Sequence, residues 1–167
     1  PYIPGTSITG VLRSLMKAMN PEYEKFFGDK DKYQSSIVIG DIVLENTQIV
    51  IRDGVSIDNA LGVAKGKAKY NYELVERGAY GNFEIVVTKR EYQNVIQQED
   101  PNKKSDNSIE MCIFNMIQTL YTGISLGGKT TSGFGKVVAK EIKNTSFDFS
   151  KREDVKDRFL GEIDKRM

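Results

Sequence analysis

Ten consecutive residues, Gly127-Gly128-Lys129-Thr130-Thr131-Ser132-Gly133-Phe134-Gly135-Lys136, hold four glycines, two lysines, three hydroxyl side chains and one aromatic ring. Glycine opens positive φ to the backbone and lets another chain approach closely. N–H groups left unpaired in such a loop form a concave anion site, and lysines and hydroxyls add donors for phosphate oxygens. The chemistry indicated is phosphate binding, with the phosphate belonging either to a nucleotide or to a nucleic-acid strand. An overlapping run, Gly123-Ile124-Ser125-Leu126-Gly127-Gly128-Lys129-Thr130, satisfies the nucleotide-binding pattern G-x-x-x-x-G-K-[ST]. In a nucleotide hydrolase that loop follows a strand and opens a helix whose N-terminus faces the phosphates. Here helical periodicity precedes the loop and β-branched residues follow it. The metal-binding aspartate expected downstream is also missing, because Asp41 and Asp53 lie upstream.

The bulk composition removes several other chemistries. The chain has 167 residues, 39% of them hydrophobic and 28% charged, enough for one globular domain with a sizeable core. No run approaches the ~18 apolar residues of a membrane span, so a soluble, cytoplasmic protein with no membrane partner is expected. Histidine is absent, which excludes imidazole acid–base chemistry, Ser-His or Cys-His pairs and histidine metal sites. The single cysteine, Cys112, gives neither an internal disulfide nor a zinc pattern, as in a reducing compartment. A net charge of +1 argues against a broadly basic surface, though a local basic patch is compatible with it. The opening Pro1-Tyr2-Ile3-Pro4 lacks a methionine, and the expectation is that an upstream strand is missing.

Alternating helix and strand signals surround the loop. Thr6 or Ser7 is placed to cap a helix with apolar positions Ile8, Val11, Leu12, Leu15, Met16 and Met19, ending before Pro21. Residues 37–51 are rich in β-branched types and predict a strand or a bent strand pair. Residues 53–67 are punctuated by glycines that mark turns and predict a hairpin-like excursion. Tyr70, Tyr72 and Leu74 alternate with polar residues as in a half-buried strand, and Phe83, Ile85 and Val87 continue the pattern. Residues 97–107 predict an exposed loop. A second helix follows from Ile109, Ile113, Met116, Ile117, Leu120 and Tyr121, with Ser108 as its cap. The glycine loop comes next, then a strand over 137–142 and a charged tail predicted as a short surface helix. With a missing first strand, the order α–β–β–α–glycine loop–β is that of an α+β, ferredoxin-like or RNA-recognition-motif-like fold. Its helices lie on one face of an antiparallel sheet.

Three segments carry a resemblance. Pro1 to Arg13 is similar to the "IPGSSLKGALR" segment of the RAMP superfamily, the RNA-binding subunits of CRISPR effector complexes. Gly127 to Val137 resembles that superfamily's glycine-rich loop, of the form GGKTSRGFGRV. Val55 to Ala64 is similar to the "VAIDRETGTA" segment of the repeating backbone subunits of type III complexes. Two departures stand out. Thr131-Ser132 replaces the common Ser-Arg, removing one phosphate-binding cation, and Ala60-Leu61 replaces an Arg-Glu-type pair.

The resemblance implies a domain over 1–143 with a thumb hairpin at about 53–68, followed by the tail over 144–167. It implies guide RNA and single-stranded target RNA as partners, together with other RAMP subunits and copies of the same chain in a head-to-tail filament. The thumb would wedge into the guide–target duplex, with Ile57, Leu61 and Val63 as apolar wedges, Asn59 beside them, and Lys65 and Lys67 on phosphates. A plain surface hairpin is the alternative. Thr6, Ser7 and Arg13 would meet backbone phosphate at the first helix, although capping explains the two hydroxyls equally. Gly127, Gly128, Lys129, Thr130, Thr131, Ser132, Gly133 and Lys136 would grip the guide backbone. Phe134 would stack on a base or ribose, or else plug the core.

In the type III backbone family that the chain resembles, an aspartate in a loop upstream of the "IPG" segment supports cleavage of target RNA with Mg²⁺ or another divalent ion. No catalytic residue, metal site or cofactor is therefore expected in these residues. Asp29, Asp31, Asp53 and Asp58 are expected to serve turns and caps, since metal-assisted cleavage needs converging carboxylates. Three alternatives remain open. One is an end-capping RAMP subunit. Another is a nucleotide-binding enzyme built on Gly123 to Thr130. The third is an RNA-recognition-motif module with Tyr70 and Tyr72 as its paired aromatics.

Overall fold

A computed structural model of the protein describes residues 1–30, 34–57, 64–88 and 108–144, with the side chains of 56–57 and 64–68 outside the description. The fold is α+β. Helix α1 (Gly5–Met19) runs into a 3-10 helix (Pro21–Phe27), and α2 spans Ser108–Thr122. The strands are β1 (Tyr2–Ile3), β2 (Ile37–Ile39), β3 (Ile42–Val43), β4 (Ile49–Ile57), β5 (Ala64–Val75), β6 (Ile85–Val87), β7 (Ile124–Ser125) and β8 (Lys136–Val137). They pair antiparallel as β1–β3, β2–β6, β4–β5 and β7–β8.

Burial follows the helical period. Ile8, Leu12 and Met16 of α1 and Ile109, Cys112, Met116 and Leu120 of α2 meet Tyr23, Phe26 and Phe27 of the 3-10 helix in one cluster. Ile37 and Ile39 of β2, with Ile124 and Leu126 beside β7, close it. Asn115 Nδ2 of α2 lies 3.4 Å from the Tyr23 hydroxyl, tying the 3-10 helix to α2. Met19 and Tyr121, counted above in the apolar stripes, are instead exposed because each sits at the last turn of its helix, beyond the cluster. The α1 stop at Pro21 holds. Asn20 Oδ1 accepts from the Glu22 N–H at 3.0 Å and starts the 3-10 turn.

The start of α1 differs from the predicted one. Neither Thr6 nor Ser7 caps it: Pro4 occupies the cap position, and both hydroxyl residues lie exposed in the first turn. The Gly5 N–H donates to Asp41 Oδ1 at 2.7 Å, so the cap comes from a loop 36 positions along the chain. Glycine is required at this point, because a Cβ on Gly5 would run into the Ile39 carbonyl oxygen and the backbone of Gly40. A side chain from a tertiary neighbour replaces the local hydroxyl here.

Two strand expectations are also corrected. Residues 37–51 form three strands, because the chain turns at Gly40 and again between Val43 and Ile49 to serve three different partners. The strand expected over 137–142 is limited to Lys136–Val137, its partner β7 being only two residues long. The hairpin-like excursion is present as β4–β5, a ladder running from Ile49↔Val75 to Ile57↔Ala64 with a register shift between Val55 and Ile57. Gly54 is not at a turn but inside β4, opposite Tyr70. The exposed loop expected over 97–107 and the tail helix lie outside the described residues.

Candidate nucleic-acid interface

The glycine loop leaves the core from two buried residues. Ile124 and Leu126 hold its entry in the core, and the Leu126 N–H donates to the Gly135 carbonyl at 2.9 Å to close it. β7 and β8 then pair through Ile124↔Val137 and Ser125↔Lys136. Between them the backbone takes positive φ at Gly127 (87°), Lys129 (58°), Gly133 (85°) and Gly135 (75°). Gly135 has no room for a side chain, since a Cβ would overlap the Leu126 carbonyl oxygen. Thr130–Ser132 make one 3-10 turn, and residues 127–133 are all exposed. The loop therefore closes a short β-hairpin and opens no α-helix, unlike the nucleotide-hydrolase loop, which leads into a helix N-terminus.

The loop lies against the β4–β5 hairpin. Tyr70 and Tyr72 share one face of β5, with ring centroids 6.0 Å apart. The Lys129 ammonium donates to the Tyr70 hydroxyl at 2.8 Å and sits 4.3 Å from the Tyr70 ring centroid and 4.0 Å from that of Tyr72. Phe134 is half-buried and meets Tyr72 edge-on, 6.1 Å between centroids at 68°. Sequence reasoning set Phe134 between base stacking and core packing; the structure packs it on the hairpin, with no place in the main core cluster. Gly54 makes the arrangement possible, because a Cβ there would come within 2.5 Å of the Tyr70 ring.

The other expected residues are placed differently. Arg13 donates through Nε and Nη2 to Glu24 Oε1 at 3.2 and 3.0 Å, and Lys17 Nζ lies 2.6 Å from Glu24 Oε2. The Glu24 carboxyl is held below the usual carboxylate range, first by the Lys17 hydrogen bond and then by Arg13, against partial desolvation. The structure thus ties Arg13 to the 3-10 helix. Thr6 and Ser7 are exposed on α1, Lys136 is exposed on β8, and Thr130, Thr131 and Ser132 form the loop's tip with Gly127, Gly128 and Gly133. Ile57, Lys65 and Lys67 belong by backbone to the outer end of the hairpin, their side chains lying outside the described residues together with Asn59, Leu61 and Val63. Among the described residues no three acidic or cysteine side chains converge as a metal site, and no helix is long and apolar enough to cross a membrane.

The fold is thus α+β, with an exposed glycine-lysine loop lying against the middle of a long hairpin. A family model for the RAMP superfamily matches residues 1–138, and the chain belongs to that superfamily. Membership makes it a CRISPR-associated RNA-binding protein in the general sense, one that works with RNA and with other subunits of such a complex. Comparison with curated proteins gives no match.

Proposed function

We propose that this chain is an RNA-binding backbone subunit of a type III CRISPR effector complex. It grips guide RNA along the phosphates through residues 127–136, and its β4–β5 hairpin acts as the thumb that spaces the guide–target duplex. The observation that carries the reading is the composite corner in which the exposed, positive-φ loop lies against the middle of that hairpin. Backbone N–H groups, Lys129, Lys136 and the hydroxyls of Thr130, Thr131 and Ser132 are donors suited to a sequence-independent grip. The hairpin's outer end is the part able to enter a duplex, where each unstacked step costs a few kcal/mol that apolar packing must offset.

Head-to-tail assembly along the guide has support on the opposite face of the hairpin. Ile49, Ile51 and Val75 are exposed together at the base of that face, with Val55 beyond Asp53 and the polar Lys69, Asn71 and Glu73 beside them, a mixed surface suited to a contact between copies. The proposal contains no cleavage step.

Salt-dependent binding of single-stranded RNA by the whole chain tests this reading. Log affinity should fall linearly with log salt, and Lys129→Ala and Lys136→Ala should each weaken binding and reduce the slope by about 0.7. Tight binding of ATP or GTP with Mg²⁺, combined with no affinity for RNA, would sink it.

A further inference from the structure

We propose that Tyr70 and Tyr72 are positioning residues of the phosphate site, so that the hairpin and the glycine loop act as one RNA-binding unit through Lys129. This deepens, and rests on, the RNA-gripping reading of the loop.

Lys129 is one of only two non-glycine residues with positive φ among those described, a conformation that persists where surrounding contacts hold it. The Ser132 N–H donates to the Lys129 carbonyl at 2.9 Å and holds the backbone, and two tyrosines hold the side chain. Its ammonium lies over both ring faces and gives one N–H to the Tyr70 hydroxyl. The rings attract the cation through their quadrupoles without carrying a countercharge. An ammonium has three donors, so two remain for an anion once Tyr70 is served. Among the described residues no carboxylate pairs with Lys129, whereas Glu24 takes both Arg13 and Lys17.

A free lysine stem must give up most of its rotamer freedom to meet a phosphate. The tyrosine cradle imposes that order before RNA arrives. The support is specific to this hairpin: Tyr70 and Tyr72 stand opposite Gly54 and Arg52, and only glycine at 54 leaves the Tyr70 ring its place. Phe134 backs Tyr72 from the loop itself. Any shift of the hairpin therefore moves the charge that meets the phosphate.

The test is a double-mutant cycle on single-stranded RNA binding by the full chain, with each variant checked for an unchanged thermal midpoint. Tyr72→Leu should weaken binding about three- to tenfold, and Tyr72→Phe, which keeps the ring, should restore it. In a Lys129→Ala background Tyr72→Leu should have no further effect. Gly54→Ala, whose methyl displaces the end of the Tyr70 side chain, should act in the same direction and vanish in the same background. Equal loss from Tyr72→Leu in both backgrounds would mean that the ring touches a base directly, and would overturn the inference. No loss in either background would reduce the contact to a structural staple and overturn it as well. Absence of RNA binding by the unmodified chain would remove the parent reading together with this one. Binding without coupling removes this one alone.

Discussion

Arg13 and Lys129 are both cations that the resemblance assigns to RNA, and the molecule holds them in opposite ways. Arg13 stands on α1 with its guanidinium on Glu24, whose second oxygen takes Lys17. Lys129 stands on the glycine loop with its ammonium between two neutral rings and a hydroxyl. A carboxylate fixes a cation and cancels much of its field; an aromatic face fixes it and leaves the charge in place. The two corners also differ in footing. The first rests on Leu12, Tyr23 and Phe26 in the core, and the second lies on the exposed face of a hairpin. One corner holds cations neutralised by a carboxylate, and the other holds a cation against neutral rings.

The largest effect should come from the core side of that contrast. Leu12→Ala removes a fully buried side chain beside the Arg13–Glu24 corner and should cost about 2–5 kcal/mol in denaturant unfolding. RNA affinity of the folded fraction should stay the same. Cys112 supplies a second reading, because burial pushes its thiol up to about 12 and keeps it protonated and covered. Thiol labelling should therefore require opening of the core and should accelerate in Leu12→Ala. A large loss of RNA affinity in this variant would show that the core corner takes part in binding.

Gly135→Ala probes the other side. The residue holds φ at 75° and its added methyl would meet the Leu126 carbonyl. The strain should cost about 1–3 kcal/mol. Its main readout is RNA affinity, which should fall at least as far as for Lys129→Ala because the whole loop is displaced. Unchanged RNA binding in a folded Gly135→Ala protein would break the assignment of the grip to this loop.

These two corners also mark what the sequence reveals. Helices α1 and α2 are legible because Ile8, Leu12 and Met16, and Ile109, Met116 and Leu120, repeat at the helical period. The loop is legible because its glycines, lysines and hydroxyls are contiguous. The contacts that finish each site leave no period. Asp41 caps Gly5 from 36 positions away, and Tyr70 meets Lys129 across 59. Gly54 looks like a turn residue because glycine usually marks one, yet it makes room for a ring in mid-strand. Residues 37–51 look like one strand or a bent pair because β-branched content reports extended backbone, while the partner of each piece is set by tertiary pairing.

The smallest effect belongs to Glu24, and it tests whether Arg13 is withheld from RNA. Its carboxyl is held below the ordinary value of 4.5 in the folded chain, chiefly by Lys17 and with help from Arg13. A lowered folded-state value means that the stabilisation is present above the unfolded value and is lost as pH falls through the folded one. The thermal midpoint of the unmodified chain should therefore exceed that of Glu24→Gln slightly at pH 7. The gap should close as the pH drops below 4.5, and added salt should narrow it because the pair is partly solvated. Glu24→Gln also releases Arg13 and Lys17, so RNA affinity at neutral pH should rise by no more than about twofold. A fall in affinity would mean that Glu24 presents Arg13 to phosphate as the tyrosines present Lys129. The two corners would then be variants of one device, and the contrast between them would be lost.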